Sequence, residues 1–235
     1  MINVKEIFFS YQAEGKYIGS PTVFIRFSGC NLRCIYCDTK SAIKVRKKDK
    51  TTIKEIISKI QKLVDKYRPM FISLTGGEPL LQRELPELLK ELTKNKTYKI
   101  YLETNASIPE RFKSVINLVD VCAVNIKLPK DDRLGKNVIQ NSLKVISLCK
   151  KYHKDFIVKL VVTGNIYDKQ DMDLIKKITK MIKLNEIILQ PETYSLKKGN
   201  KNVFINICNI FNVLYRFIPR IHIIPQLHKF IWRIK

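Results

Sequence analysis

The feature that most constrains the fold of this chain is a regular alternation of short apolar runs with amphipathic segments. The apolar runs predict strands at 22–27, 70–74, 99–103, 121–126, 156–162, 186–190 and 220–224. Between them, apolar residues recur with a helical period, which predicts helices over 52–67, 80–93, 109–118, 138–152, 168–181 and 203–217. Continuous apolar strands that alternate with helices are typical of a parallel sheet covered by helices.

The number of predicted strands bounds the architecture. Seven β/α units in 235 residues fall short of a complete eightfold barrel, which typically takes about 250 residues. Two α/β architectures therefore stay open, an incomplete β/α barrel and an open doubly wound sheet. No glycine- or proline-rich linker and no internal repeat interrupts the sequence, so we expect a single domain over 1–235. The sequence contains neither Gly-x-Gly-x-x-Gly after the first strand nor a Walker A motif, which excludes the usual nucleotide-binding signatures.

Composition excludes several further classes of protein. The chain is 45% hydrophobic, too apolar for a disordered protein, and it has no uninterrupted apolar run of about 18 residues, the length that a spanning helix needs. Its first residues lack the apolar segment of a signal peptide, so we expect a cytoplasmic protein without membrane contact. Its 44 Lys+Arg against 21 Asp+Glu give a net charge of +23, but the lysines are dispersed and arginines are scarce. We therefore expect solvated surface lysines and no direct contact with nucleic acid.

Three of the six cysteines lie close together directly after the first predicted strand. Cys30, Cys34 and Cys37 share one short loop, whereas the other three lie in separate apolar segments typical of buried thiols. No histidine or fourth cysteine lies near this loop in the sequence. Three thiolates leave one metal position open, which favours a [4Fe–4S] cluster with one iron free for an outside ligand. A zinc knuckle completed by a distant histidine is the alternative.

A second motif follows the next predicted strand. Residues 74–79 are Leu-Thr-Gly-Gly-Glu-Pro, at the edge of the sheet where β/α proteins place their sites. Together with Cys-x-x-x-Cys-x-x-Cys, this segment resembles the radical S-adenosylmethionine (SAM) superfamily. The resemblance implies that the free iron binds the amino and carboxylate groups of SAM, and that an electron from the cluster splits SAM to yield a 5′-deoxyadenosyl radical. It also implies an aromatic residue near the adenine, which Tyr36 matches.

The flanking segments narrow the resemblance to one family. The matching segments are 10–15, 19–26, 29–39, 188–191 and 224–228. They are similar to the 7-carboxy-7-deazaguanine synthases, so that the resemblance extends over nearly the whole chain. It implies an incomplete, TIM-like β/α barrel of the radical SAM type, with a substrate segment at 8–19, a core over about 20–225 and a tail at 225–235.

The activity that this resemblance implies is that of a lyase in queuosine and deazapurine biosynthesis. Its substrate is 6-carboxy-5,6,7,8-tetrahydropterin, from which the radical abstracts hydrogen at C6. Rearrangement with loss of ammonia then gives 7-carboxy-7-deazaguanine, and SAM is regenerated. The implied cofactors are a [4Fe–4S] cluster, SAM and Mg²⁺. The implied macromolecular partners are a second copy of the chain in a homodimer and an acidic electron donor such as flavodoxin.

The resemblance also implies roles for individual residues. The cluster is assigned to Cys30, Cys34 and Cys37, and Mg²⁺ to Thr39. SAM is assigned to Tyr36, Asp38, Gly76, Gly77, Glu78, Glu103, Asn125, Ile126, Lys127 and Gln190. The substrate is assigned to Tyr11, Gln12, Ala13, Glu14, Arg26 and Thr75. A carboxylate such as Glu14 can accept two parallel N–H bonds from the guanidine-like edge of a pterin, and the planar fork of Arg26 suits a carboxylate.

Two departures from the family pattern and two other functions stay open. Ala13 stands where the family has glycine, so we expect a slightly different loop, and Asn125-Ile126 stand where it has Ser-Pro. A glycyl-radical activase shares the short radical SAM core, although Gln12, Glu14 and Thr39 argue against it. A basic RNA-binding protein with a zinc knuckle would fit the charge, but it needs clustered arginine with interleaved aromatic residues, and the sequence has neither.

Overall fold

The computed structural model describes residues 1–94, 97–128, 137–165 and 167–231, and its centre is one β-sheet. The strands are β1 (Ile2–Tyr11), β2 (Pro21–Phe27), β3 (Lys50–Thr51), β4 (Phe71–Gly76), β5 (Lys99–Thr104), β6 (Val121–Ile126), β7 (Asp155–Val162), β8 (Glu186–Pro191) and β9 (Arg220–Ile223). They pair in the order β3-β1-β2-β4-β5-β6-β7-β8-β9. From β2 to β9 every described pairing is parallel, as the apolar strands predict.

Helices connect these parallel strands. They are α1 (Ile53–Tyr67), α2 (Leu85–Thr93), α3 (Pro109–Val115), α4 (Asn137–Lys151), α5 (Lys169–Ile182), α6 (Thr193–Lys197) and α7 (Lys201–Leu214). The predicted helix 80–93 begins only at Leu85, because Pro79–Leu81 forms a 3-10 turn and Pro86 is tolerated only in a first helical turn. The short helix α6 was not predicted. Within the described ranges, no helix is long and apolar enough to cross a membrane.

The amino-terminal end of the sheet is antiparallel, contrary to the expectation of a purely parallel sheet. β1 pairs antiparallel with β2, and β3 pairs antiparallel with β1. A bulge between Val4 and Glu6 shifts the register of β1, so its apolar residues do not alternate regularly and gave no strand prediction. In the described part of the chain, β3 and β9 each have a neighbour on one side only, so the sheet does not close. Of the two expected architectures, the incomplete β/α barrel is confirmed.

The two faces of the sheet carry different residues. One face packs against the helices through residues such as Ile72, Leu102 and Val124, which belong to the main core. The opposite face carries a smaller apolar cluster made of Phe71, Tyr101, Val121, Ala123, Ile157 and Ile188. Because side chains on one face recur every second residue, the positions that follow this cluster point the same way. Those positions are polar, and they build the site.

Candidate active site

A cavity of about 410 Å³ lies at the carboxyl ends of the parallel strands. Four of its strand residues lie two positions beyond the small apolar cluster, namely Glu103, Asn125, Lys159 and Gln190. Arg26 of β2 and Thr75 of β4 complete the row. The alternation of strand residues therefore places an apolar floor and a polar wall on the same face of the sheet.

The cysteine loop closes one side of this cavity. Cys30, Cys34 and Cys37 all line it, and all three are half-buried thiols that form no disulfide. The loop is held at its base by backbone hydrogen bonds from Gly29 N to Ala42 O (2.8 Å) and from Cys30 N to Ile43 O (3.1 Å). The three sulfurs are thus presented from a short, anchored loop that faces the strand ends.

The sulfurs fit a cluster better than a single ion. In the described structure, the three cysteine sulfurs do not all lie within 4.8 Å of one another. The ligands of a single zinc ion would lie closer together, so this spacing argues against the zinc alternative. Leu32 N and Asn105 Nδ2 donate to Cys30 Sγ at 3.5 and 3.9 Å, as donors around cluster sulfurs do. Burial raises the pKa of the Cys30 and Cys37 thiols, so they release protons when metal binds.

The Gly-Gly-Glu segment packs directly against the cysteine loop. Gly77 N donates to Phe27 O at 2.9 Å, and Glu78 N donates to Gly29 O at 2.8 Å. A Cβ atom on Gly77 would lie 2.1 Å from Gly29 O, so only glycine permits this approach. Gly76 has φ = 116°, a conformation that also favours glycine. The two sequence motifs therefore form one structural unit.

The buried side chain of Glu78 stabilises this structural unit through hydrogen bonds. Its side chain is fully buried and accepts hydrogen bonds from Leu80 N (3.1 Å), Thr104 Oγ1 (2.8 Å) and Asn105 N (2.8 Å). Burial raises the pKa of this carboxyl to about 7, although these hydrogen bonds favour the carboxylate. Glu78 thus ties the end of β4 to the end of β5, where Asn105 approaches Cys30.

Comparisons with known proteins identify the superfamily to which a chain with these two motifs belongs. Residues 24–181 match the Radical SAM superfamily, which covers more than half of the chain. The chain belongs to the radical SAM superfamily and, within it, to the 7-carboxy-7-deazaguanine synthases. Two relatives of that name are the proteins of Methanocaldococcus jannaschii, 34% identical over 81% of this chain and 83% of that one, and of Clostridium acetobutylicum, 35% identical over 84% and 88%.

A solved structure shows the same fold. The crystal structure of QueE from Escherichia coli superposes with a TM-score of 0.56 at 18% identity, and the match covers 96% of this chain and 93% of that one. At this identity the likeness concerns the fold alone. It agrees with the radical SAM barrel seen here, in which the cysteine loop follows β2 and the Gly-Gly-Glu segment follows β4.

Most of the residues assigned to SAM surround the cavity. Those that line it are Tyr36, Asp38, Gly76, Gly77, Glu103, Asn125, Lys127 and Gln190. Lys127 Nζ lies 4.9 Å from the centre of the Tyr36 ring, so the two side chains share one wall. Gln190 Oε1 is buried and accepts no hydrogen bond from the described residues, so it is available to a donor of a bound cofactor. This orphaned acceptor fits the radical SAM assignment.

Two of the assigned residues have side chains that do not line the cavity. Glu78 is the buried support described above, and Ile126, 3% exposed, packs in the main core beneath the helices. Neither side chain can touch SAM directly in this arrangement. Neighbouring positions on a strand face opposite sides, which explains why Asn125 lines the cavity and Ile126 does not.

The residues assigned to the substrate also line the cavity, on the side of β1. Tyr11, Gln12, Ala13, Glu14, Arg26 and Thr75 all contribute to it. Arg26 Nε donates to Glu6 Oε1 at 2.6 Å, and one of its terminal nitrogens lies 3.5 Å from Thr39 Oγ1. The unpredicted strand β1 thus supplies the carboxylate that orients Arg26. Ala13 does not have a positive φ, so its departure from glycine strains nothing.

Sequence reasoning missed two residues that organise this side of the cavity. Lys159 Nζ lies 2.5 Å from Glu14 Oε2 and 2.5 Å from Glu103 Oε1. Gln226 Nε2 donates to Glu14 Oε1 (2.8 Å) and to Asp38 Oδ2 (3.0 Å). The signal for Lys159 was a lone lysine inside an apolar strand, and the signal for Gln226 was the similarity of the tail to the family.

The tail also sets the charge of Asp38. His228 Nε2 lies 3.8 Å from Asp38 Oδ2, and Lys229 lines the cavity beside it. Burial alone would raise the pKa of Asp38, but the nearby His228 side chain and the charge of Lys229 hold it well below its usual range. Asp38 is therefore a carboxylate at neutral pH, next to Thr39, whose hydroxyl donates to it at 3.0 Å.

Proposed function

We propose that this chain is a radical SAM lyase that converts 6-carboxy-5,6,7,8-tetrahydropterin into 7-carboxy-7-deazaguanine, with loss of ammonia. The observation that carries the proposal is that Arg26, Glu14 and Glu103 face the same cavity as the three clustered cysteines. A carboxylated pterin offers an anion at one end and N–H donors at the other. The cavity offers a guanidinium for the first and carboxylates for the second.

The cofactors divide between the two sides of the cavity. Cys30, Cys34 and Cys37 would hold the [4Fe–4S] cluster, with SAM between Tyr36, Gly76 and Gln190. When bound, the cluster and SAM supply the radical that abstracts a hydrogen atom from the substrate. The chain's own residues bind and orient the two molecules, and the short, anchored loops around the cavity fix their positions.

Magnesium fits the oxygen ligands beside the cluster. We assign Mg²⁺ to Thr39, whose hydroxyl is adjacent to the ionised Asp38. Hydroxyl and carboxylate oxygens suit this hard cation, which keeps several waters or substrate oxygens in its shell. Arg26 lies next to Thr39, so the substrate carboxylate can meet a guanidinium and a divalent cation together.

The proposal extends to the whole protein and its partners. It treats the chain as a single radical SAM domain over 1–235, located in the cytoplasm, where reducing conditions keep its six free cysteines as thiols. It includes a homodimer, supported by large apolar side chains that are exposed on α6, α7 and β9 and directly after α7. They are Tyr194, Phe204, Ile205, Tyr215 and Ile223. It also includes an acidic electron donor such as flavodoxin, supported by the charge of +23.

Product identification tests the reaction. The protein is reconstituted anaerobically with iron and sulfide, reduced, and incubated with SAM, Mg²⁺ and the carboxylated tetrahydropterin. We expect mass spectrometry to detect 7-carboxy-7-deazaguanine and ammonia, with SAM not consumed. An intact reduced cluster that yields no such product would refute the proposal, and cleavage of SAM only with a protein partner would favour a glycyl-radical activase.

Paired cysteine variants test the cluster assignment. Cys34→Ala is expected to lose the cluster absorption and all turnover, because two thiolates cannot hold three irons of the cluster. Cys149→Ala removes a fully buried thiol of the main core and is expected to keep both. Equal losses in the two variants would contradict the assignment of the loop.

A further inference from the structure

A buried lysine joins two carboxylates at the wall of the cavity. Lys159 Nζ is 2.5 Å from both Glu14 Oε2 and Glu103 Oε1, so these two oxygens lie no more than 5.0 Å apart. The lysine side chain is 3% exposed, and all three residues line the cavity. Glu14 comes from the amino-terminal segment, Glu103 from β5 and Lys159 from β7. The lysine therefore connects three separate parts of the chain at one point.

The remaining oxygens of the two carboxylates are also held. Gln226 Nε2 donates to Glu14 Oε1, while Thr75 Oγ1 donates to Glu103 Oε2 at 3.2 Å. Burial lowers the pKa of Lys159, but the charges of Glu103 and Glu14 raise it further, so the lysine stays an ammonium ion. Burial also raises the pKa of Glu103, and Lys159 outweighs this and lowers it. Lys159, Glu14 and Glu103, together called the trio, carry a net charge of −1.

Stability alone does not account for such a group. Buried ion pairs seldom stabilise a fold more than apolar residues of the same volume, because both charges lose their hydration. The neighbours of Lys159 along β7, Val158 and Leu160, belong to the main core, so β7 is otherwise apolar at this point. A charged trio that costs stability and faces a cavity indicates a role in binding.

We propose that Lys159 is a positioning residue for substrate recognition: it fixes Glu14 and Glu103 as a pair of carboxylates that accept N–H bonds from the substrate. This inference rests on the proposed function; it transfers Glu103 from the SAM set to the substrate and adds the residue that orients the two acceptors. With one cation between two anions, the pair keeps one negative charge for the ligand. That charge suits a planar, guanidine-like edge that donates several N–H groups, such as the aminopyrimidinone ring of a pterin.

The experiment compares four purified proteins: wild type, Lys159→Met, Lys159→Arg and Lys62→Met. Methionine keeps the length and removes the charge, arginine can donate to both carboxylates, and Lys62 is an exposed lysine of α1 that serves as the matched control. KM and kcat for the carboxylated tetrahydropterin are measured together with KM for SAM. Binding of the pterin to the cluster-free protein is measured by calorimetry.

We expect Lys159→Met to raise the KM and the dissociation constant for the pterin by about 30-fold or more, the usual effect of removing one partner of a buried charge pair. The KM for SAM and the rate of SAM cleavage without substrate should stay within about threefold. Lys159→Arg should recover most of the affinity, and Lys62→Met should match wild type. A role in folding alone would instead leave the affinity of the folded fraction unchanged.

Two further arms keep the outcome decisive. If Lys159→Met does not fold, Lys159→Gln removes the charge but keeps an N–H donor for one carboxylate, and with both acceptors in place it should still show the raised KM for the pterin. An unchanged KM for the pterin in a folded variant, or an equal loss for SAM and pterin, would overturn the positioning role. If wild type itself neither binds nor converts the pterin, the proposed function fails, and that failure is distinct from the failure of this inference.

Discussion

Single residues decide how closely the two motifs of this site can approach. At Gly77, any side chain would meet the backbone of the cysteine loop, whose Gly29 O lies 2.1 Å and Ala42 O 2.9 Å from an added Cβ. Backbone atoms cannot move aside as the end of a side chain can. The absence of a Cβ atom at Gly77 therefore sets the spacing between the Gly-Gly-Glu segment and the cysteine loop.

We expect Gly77→Ala to lower the free energy of unfolding by about 2 kcal/mol, in the range of overpacked cores, and to reduce the iron bound per chain. Gly199→Ala is the control: it meets nothing within 4 Å, and its positive φ of 68° costs about 1 kcal/mol. Denaturant unfolding and iron analysis measure both effects. Equal iron content in the two variants would contradict the tight contact.

The buried carboxyl of Glu78 receives three donors on two oxygens. In Glu78→Gln, one of these positions becomes an NH₂ group that faces a donor, which leaves a buried group unpaired. We expect a loss of about 1–3 kcal/mol in the free energy of unfolding. Glu91→Gln, on the exposed side of α2, should change it by less than about 0.5 kcal/mol. Similar losses in both variants would argue against the supporting role of Glu78.

The same carboxyl predicts a pH dependence. Its pKa in the folded protein is about 7, above the ordinary 4.5, so the folded state binds the proton more tightly than the unfolded state. Its contribution to stability is therefore fully present below about pH 4.5, falls as the pH rises to about 7, and is constant above that, with a span of about 3 kcal/mol at most. Unfolding of cluster-free wild type and Glu78→Gln from pH 5 to pH 8 measures it. A constant difference between the two would refute the raised pKa.

The placement of several residues around one cavity could be predicted from the sequence, because these residues lie in short motifs. The three cysteines, Gly76-Gly77 and Glu14 all lie in such motifs, and all line one cavity. The pairing of Lys159 with Glu14 could not be predicted, since the two residues lie 145 positions apart and only the barrel brings them together. The orientation of Glu78 could not be predicted for a related reason: the motif shows that the residue matters, but not that its side chain points away from the cavity.

At the scale of elements, the tail segment (225–231) behaves as a strap across the cavity. Gln226 accepts from Thr193 Oγ1 at 2.6 Å and donates to Glu14 and Asp38, while Leu227 N donates to Ala13 O at 3.1 Å. A segment that contains no strand and only the short 3-10 turn Leu227–Lys229 is thus fixed by four hydrogen bonds. Those bonds connect it to the amino-terminal segment and to the cysteine loop.

We expect Gln226→Ala to speed amide hydrogen exchange of the tail segment by about 100-fold, because it removes three side-chain hydrogen bonds and each contributes about 1 kcal/mol to the closed form. Gln61→Ala removes a comparable bond, to Asp65 on the exposed face of α1, and should leave the tail unchanged. Exchange followed by mass spectrometry compares the two. Unchanged exchange of the tail in Gln226→Ala would show that the strap is held elsewhere.

Elements differ in how well their sequence predicts them. The helices with a clear apolar stripe, such as α1 and α5, were placed to within a residue or two. β1 was missed, because its bulge breaks the alternation that identifies a strand facing two environments. The predicted start of α2 is five residues early, because the apolar period continues through the preceding 3-10 turn. Only Pro79 and Pro86 indicate that the helix begins later.

At the scale of the whole molecule, the net charge of +23 creates a long-range field. Such a field accelerates the approach of an acidic partner, and salt screens it: the screening length falls from about 20 Å at 0.02 M to about 6 Å at 0.3 M salt. We expect turnover driven by flavodoxin to fall at least about tenfold over this range. Turnover driven by an uncharged photoreductant should change little. Equal salt dependence with both reductants would argue against electrostatic docking.

The order of the strands has a consequence for biosynthesis on the ribosome. The cluster loop and the Gly-Gly-Glu segment lie within the first 80 residues, so the nascent chain can form that contact early. The hydrogen bond between Gln226 and Glu14 spans 212 positions and can form only after the tail segment has been synthesised. A chain still emerging from the ribosome can thus present its thiols to iron before its pocket for the pterin is complete.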